Sequence, residues 1–390
     1  SMTDVFEQQQ HKHLSRTISE LELASPPGAE LFGGGAASRS SSVGGPIGQI
    51  SPVSTDATEE ERAARLLEQD DLIFAGLFDG HGGDECARFL QQNFYRNLSR
   101  EIAFRCLRDS FSVASLTPEL MHDAFTSAYL MSNLQLKSSG NPAALSSGAT
   151  AVTAVVSRDR ETENRWLYLA NVGDSAAILC TADHSNGSVW ETQRLHQTHR
   201  TTTPSERSRV ISSGGFILRG RLNGSLAVTR AFGNHHYTVA DTVGGRPTEP
   251  PQCEPEPQPA ACSMEGLSVL PATRSIQLDS EGTEALFLVL CCDGLTDVMS
   301  DQQIVQVVHE GYNKLLRRAQ REQQEKQQDK QAADGADAPG AGTEAAEGQR
   351  ERHTATPMMR GVAAKLSRWL VHTALKRGSR DNCSAIVMIF

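Results

Sequence analysis

Leu72-Ile73-Phe74-Ala75-Gly76-Leu77-Phe78-Asp79-Gly80-His81-Gly82-Gly83-Asp84 is the stretch on which the reading of this chain turns. It opens as an apolar run bounded by turn residues, the pattern of a buried strand. The strand delivers one carboxylate, Asp79, at its carboxyl end. Gly80, Gly82 and Gly83 let the backbone turn sharply and come close to another group. His81 sits inside that turn with a side chain able to give or take a proton near neutrality. Ala87, Leu90, Phe94 and Leu98 then recur at helical spacing. A carboxylate, bare backbone and an imidazole at one rigid strand end are the makings of a catalytic site.

Working outward, Thr117-Pro118-Glu119 marks a helix start with proline at the first helical position. Met121, Phe125, Ala128 and Met131 give that helix an apolar face. Ser147 to Val156 is rich in β-branched residues and reads as a strand. Arg165 to Val172 reads as another, with Gly173-Asp174 as a hairpin turn and Ser175 to Cys180 as the returning strand. Strands joined by short turns imply antiparallel sheets. Thr203-Pro204-Ser205-Glu206 is a capping-box pattern, and that helix is expected to end at Gly214-Gly215. Ala285 to Cys292 is the most apolar strand and, like the first, ends in Asp-Gly, here Asp293-Gly294. Ser300 is placed to cap a helix carrying Ile304, Val307, Val308 and Leu315. Pro357 restarts a helix with Val362, Leu366, Leu370 and Ala374 buried, ending at Gly378. Arg380-Asp381-Asn382 stands immediately before a last strand, Cys383 to Phe390.

Three carboxylates at strand ends, with the Gly80 carbonyl beside one of them, suit hard divalent cations that take oxygen ligands. Without clustered cysteine and histidine ligands, magnesium or manganese is favoured over zinc. Converging carboxylates are costly unless a cation neutralises them. Two such ions sharing a carboxylate activate water and clamp a phosphate. The residues alone therefore point to metal-dependent hydrolysis of a phosphate ester.

Phe78-Asp79-Gly80-His81-Gly82-Gly83, Ser147-Gly148-Ala149-Thr150-Ala151, Ala170-Asn171-Val172-Gly173-Asp174-Ser175, Leu222 to Arg230, Cys292-Asp293-Gly294 and Arg380-Asp381-Asn382 occur in that order. Together they resemble the metal-dependent serine/threonine protein phosphatases of type 2C, from about Leu72 to Phe390. The resemblance implies an α+β fold, a four-layer αββα sandwich of two antiparallel sheets flanked by helices. It implies two Mn²⁺ or Mg²⁺ ions and phosphoserine or phosphothreonine protein substrates. Carried over by position, Asp79 would bridge both ions, Gly80 would offer its carbonyl to one, and Asp293 and Asp381 would complete the other. His81 would be the acid that protonates the leaving oxygen. Asn382, Gly294 and the Gly173-Asp174 turn would be structural support.

The chain departs from the family pattern in places. Arg16-Thr17-Ile18-Ser19-Glu20-Leu21 is the upstream match to the family's first motif, with Leu21 where the family has Asp. Arg16 would grip the substrate phosphate and Glu20 would reach the second metal. Asn234 stands where the family carries an Asp that helps hold a third metal, so a third ion is expected to be weak or absent. Ala176 replaces an Arg, Thr296 a Trp, and Thr198-His199-Arg200-Thr201 stands in place of Asp-His-Lys-Pro. These changes set an active phosphatase against a regulatory pseudophosphatase that keeps the fold.

The 390 residues are 38% hydrophobic, enough for a large core, and are read as one catalytic domain spanning 1–390. Flexible insertions are expected at about 24–58 and 320–356, with a Pro/Glu-rich loop at about 244–260. A net charge of −10 without a Lys/Arg block argues against nucleic acid as a partner, and hence against a nuclease. Eight scattered cysteines read as reduced thiols, and Ser1-Met2-Thr3-Asp4 lacks a signal-peptide pattern. A cytoplasmic or nuclear monomer without a membrane span is the expectation.

Overall fold

The computed structural model describes Val5–Phe6 and residues 72–109, 116–159, 162–183, 189–235, 266–280, 283–334 and 361–390. Arg16, Glu20, the insertion at 24–58 and the loop at 244–260 lie outside the described residues.

The chain runs β1 (Val5–Phe6), β2 (Ile73–His81), α1 (Glu85–Asp109), α2 (Pro118–Ser138), α3 (Pro142–Ser146), β3 (Gly148–Arg158), β4 (Arg165–Val172), β5 (Ala176–Asp183) and β6 (Val189–Arg194). It continues through α4 (Pro204–Ser212), β7 (Ile217–Leu218), β8 (Arg221–Leu222), β9 (Phe232–Gly233), β10 (Ala272–Gln277), β11 (Asp279–Ser280) and β12 (Thr283–Cys291). Last come α5 (Asp293–Thr296), α6 (Asp301–Asp334), α7 (Val362–Lys376) and β13 (Ala385–Ile389). One sheet has the order β1-β2-β3-β4-β10 with β9 also paired to β3; the second has β11-β12-β5-β6 with β13 also paired to β12. Every pairing in both is antiparallel.

The strands' period of two assigns the layers. In the first sheet Ala75, Leu77, Val152, Ala154, Leu167 and Leu169 face the second sheet, whose Ile178, Leu288 and Leu290 belong to the same core. Their alternates Phe78, Ala151, Val155, Tyr168 and Ala170 face α1 and α2. Phe94 of α1 packs edge-on against Tyr129 of α2, with ring centroids 5.0 Å apart. On the far side Ile304 and Val308 of α6 and Leu366, Leu370 and Ala374 of α7 cover the second sheet. The four layers are therefore helices, sheet, sheet, helices, as the resemblance implies. Among the described residues no helix is long and apolar enough to cross a membrane.

Local chemistry explains most boundaries. Thr117 caps α2 by accepting from Leu120 N through Oγ1 at 3.2 Å. Ser300 Oγ does the same for Gln303 N at the start of α6. Several expectations are corrected. Gly173-Asp174 is no hairpin: β4 belongs to the first sheet and β5 to the second, so the turn crosses between layers. Both strands are buried almost throughout, and their periodicity therefore carries no sign of which neighbour each will pair with. Thr203 makes no capping bond; its hydroxyl donates to Thr198 O, and Glu206 pairs with arginines instead. Met131 is 44% exposed, off the buried face of α2. The polar tract expected to be flexible from 320 continues α6 to Asp334. Good helix formers and pairs such as Arg318–Glu322, at 2.9 Å, support that extension. Residues 335–356 of the tract lie outside the described residues.

Candidate active site

The site lies where the two sheets end side by side. Asp79 continues the row of Ala75 and Leu77, so its carboxylate faces the layer between the sheets. It pairs with Thr150 at the end of β3. Asp293 follows β12 in the opposite sheet and opens α5. Carboxylate oxygens of Asp79 and Asp293 and Sγ of Cys292 lie within 4.8 Å of one another.

Burial pushes the Asp79 carboxyl up to about 8, reinforced by the nearby charges of Asp293, Asp174 and Asp381. Burial and repulsion from Asp174, Asp297 and Asp381 lift Asp293 to about 6, against the opposing pull of Arg200. Such a group of acceptors, brought together at the mouth of an apolar layer, fits a hard divalent cation that neutralises them. The thiol of Cys292 does not suit a soft-metal reading. Burial pushes it well above the ordinary thiol range, and both its capacities are used. Sγ donates to Asn382 O and accepts from Ser384 N, each at 3.2 Å.

Those two bonds fix the segment that carries Asp381. Asp381 is exposed, and its Oδ1 accepts from Asn382 N at 2.7 Å. Gly294 is required here because a Cβ would collide with the Asn382 carbonyl oxygen. Ser379 Oγ donates to Gly294 O at 2.7 Å and closes the same contact. Gly294 and Asn382 thus join two carboxylate-bearing turns, the supporting role the resemblance implies.

His81 continues the Asp79 row. Its Nε2 lies 2.9 Å from Oδ1 of Asn234. Asn234 takes a left-handed conformation, φ +56°, that asparagine tolerates, and its backbone N donates to Ser147 O at 2.8 Å. Asn234, expected to leave a third ion weak or absent, has its side chain fully buried against the imidazole. Gly148 stands between β2 and β9, and a Cβ there would collide with both His81 Nε2 and Asn234 Oδ1. Burial holds the His81 imidazole below its ordinary range, partly offset by the bond to Asn234 and the charge of Asp174.

Asp174, read from the sequence only as turn support, and Arg200, noted there only as a departure from the family pattern, stand beside the site carboxylates. Asp174 is 4% exposed and lies close enough to Asp79 and Asp293 to raise both. Arg200 Nε donates to its Oδ2 at 2.7 Å. The available signal was that the apolar run of β4, like those of β2 and β12, leads into a Gly/Asp pair, here Gly173-Asp174.

The family described as Protein phosphatase 2C matches residues 54–335, which include Asp79, His81, Asp174, Asn234 and Asp293 but not Arg16, Glu20 or Asp381. A probable protein phosphatase 2C 2 of Oryza sativa is 33% identical over 62% of this chain and 53% of its own length. Human protein phosphatase 1B is 26% identical over 82% of this chain and 51% of its own length. The chain therefore spans about half the length of these curated relatives. Among solved structures, the serine-threonine phosphatase 2C of Toxoplasma gondii shares the fold, with a TM-score of 0.51 and 18% identity over 84% of this chain and 87% of its own.

Proposed function

The chain belongs to the protein phosphatase 2C family, and we propose that it hydrolyses phosphoserine and phosphothreonine esters of proteins with two Mn²⁺ or Mg²⁺ ions. The supporting observation is the half-buried meeting of Asp79 and Asp293 from opposite sheets, with Asp381 close enough to raise both. In this reading Asp79 would hold both ions, with the Gly80 carbonyl as a further ligand to one and Asp293 and Asp381 as ligands to the other. Glu20 and Arg16 are assigned to the second ion and the substrate phosphate on the sequence pattern alone. Bound cations would supply Lewis acidity and lower the pKa of a water molecule.

The remaining work falls to His81. Its Nε2 is committed to Asn234, so Nδ1 is the atom available for proton transfer. As the new P–O bond to water oxygen forms in line, the P–O bond to the serine or threonine oxygen breaks. The Nδ1 proton of the imidazolium passes to that leaving oxygen. The contact with Asn234 orients the ring for this transfer, in space that Gly148 leaves open.

None of the described cysteines is joined in a disulfide, in keeping with a reducing compartment, cytoplasm or nucleus. The net charge of −10 favours phosphoprotein over nucleic-acid partners, and a monomer is the proposed working form. The deciding experiment is hydrolysis of a phosphothreonine peptide by the chelator-stripped protein, with and without added Mn²⁺. Activity that appears only with the ion supports the reading. Undiminished turnover after exhaustive chelation, or no turnover at any metal concentration, overturns it.

A further inference from the structure

Arg200 sets its guanidinium among three carboxylates that come from two separate parts of the fold. Nε lies 2.7 Å from Asp174 Oδ2, while Nη2 lies 3.3 Å from Asp293 Oδ2 and 3.7 Å from Asp297 Oδ1. Asp174 belongs to the turn that crosses between the sheets; Asp293 opens α5 and Asp297 ends it. The side chains of Asp174 and Asp293 are 5% and 23% exposed, and that of Arg200 37%. The guanidinium therefore reaches inward from the rim of the site.

The backbone fixes this placement from both sides. His199 N donates to Gly173 O at 2.8 Å, and its Nδ1 accepts from Gly173 N at 3.0 Å. Thr229 N donates to His199 O at 2.8 Å, and Arg200 forms an antiparallel bridge with Val228. A surface ion pair needs one partner and samples many rotamers. Here one planar fork with fixed donors addresses three acids at once, a geometry that a flexible ammonium point charge does not reproduce. Three converging carboxylates would otherwise call for a metal ion.

We propose that the guanidinium of Arg200 is a resident cation that fills the pocket of Asp174, Asp293 and Asp297 and so keeps a third divalent ion out of it. The proposal rests on the reading of Asp79, Asp293 and Asp381 as a two-ion centre. The contact engages Oδ2 of Asp293, and a carboxylate has a second oxygen to turn toward Asp79. Metal loading of this chain therefore stops at two equivalents, for a reason that lies with Arg200 rather than Asn234.

Calorimetric titration of the chelator-stripped full chain with Mn²⁺, checked by spin counting of bound Mn²⁺, tests this. The parent chain should take up two equivalents and show no third event into the millimolar range. Arg200→Ala should gain one further equivalent, at least about tenfold tighter than any third event in the parent. Adding Asp297→Asn to that variant should remove the gain. Arg200→Lys should bind like Arg200→Ala or lie between it and the parent. A third equivalent in the parent, or an unchanged count in Arg200→Ala, overturns the proposal. If circular dichroism shows Arg200→Ala unfolded, Arg200→Gln takes its place, and the parent titration remains decisive alone. A parent that binds no Mn²⁺ overturns the two-ion reading itself, which is a distinguishable result.

Discussion

Nε2 of His81 lies 2.9 Å from Oδ1 of Asn234, a contact between residues 153 positions apart in the chain. The amide offers the imidazole a neutral acceptor. A carboxylate at the same place would stabilise the imidazolium with a full charge. Burial already holds His81 below its ordinary range. In the proposed role of general acid it would work while protonated, so activity should fall as pH rises through its pKa. Asn234→Asp should raise that pKa and move the alkaline limb of the pH–rate profile upward by about one unit or more. Profiles of kcat on a phosphopeptide at saturating Mn²⁺ check it. Superimposable profiles would mean that this contact does not tune the acid.

Gly148 leaves the space in which His81 and Asn234 meet. Gly148→Ala should displace the imidazole while the β2–β3 pairing persists. Loss of an oriented acid is worth about 10²-fold or more in rate. The expected outcome is that loss in kcat, with Mn²⁺ binding unchanged. A substrate whose leaving group needs no proton, such as p-nitrophenyl phosphate, should lose much less. Equal losses on both substrates would place the damage elsewhere.

Much of this site is visible in the sequence because an apolar run ending in Asp-Gly declares both its burial and its exit. Asp79 and Asp293 are found that way, and the bounds of β4 coincide with the apolar run Arg165–Val172. Asp174 was read only as the support of a hairpin turn because β4 and β5, both buried, carry no periodicity that tells a hairpin from a crossing between sheets. The Asn234 contact was missed because nothing local in Phe232-Gly233-Asn234 points to His81. Glu206 was read as a helix cap because Thr-x-x-Glu fits that pattern, whereas its partners Thr229 and Arg230 are supplied from a distant loop. In each case a long-range contact overrode a locally sufficient explanation.

Asp79 is held at about 8 by burial and by neighbouring acids. A carboxyl whose folded pKa is raised contributes stability below its unfolded pKa and loses it as pH rises through the folded value. The metal-free protein should therefore lose thermal stability between the ordinary carboxylate range and about pH 8. Mn²⁺ should reverse this by binding the ionised group. Asp79→Asn should remove most activity, flatten the pH dependence of Tm in the metal-free state and weaken the Mn²⁺ response. Melting curves with and without Mn²⁺ across that range provide the measurement. A pH-independent Tm in the metal-free parent would contradict the assigned environment of Asp79.

Glu206 ties α4 to the segment that leads into Asn234. Its side chain is 4% exposed. Oε1 accepts from Arg230 Nη2 at 2.6 Å, and Oε2 accepts from Thr229 Oγ1 at 2.7 Å and Arg209 Nη2 at 2.9 Å. The same arginines donate onward to Gly266 O and Leu270 O, so one carboxylate organises two loops. Burial by itself would raise the carboxyl. The bonds from Arg230, Arg209 and Thr229 outweigh it and hold the pKa far below the ordinary range. Breaking one side of a buried ion cluster leaves uncompensated charge and costs about 3–5 kcal/mol. Glu206→Gln should therefore lose about that much stability in urea at neutral pH, with the slope m unchanged. A depressed carboxyl contributes its stability above the unfolded pKa and loses it as pH falls toward the folded one. The gap between the two proteins should narrow as pH falls from neutrality through the carboxylate range. A gap that stays constant with pH would show that packing of the side chain, and not its charge, carries the effect.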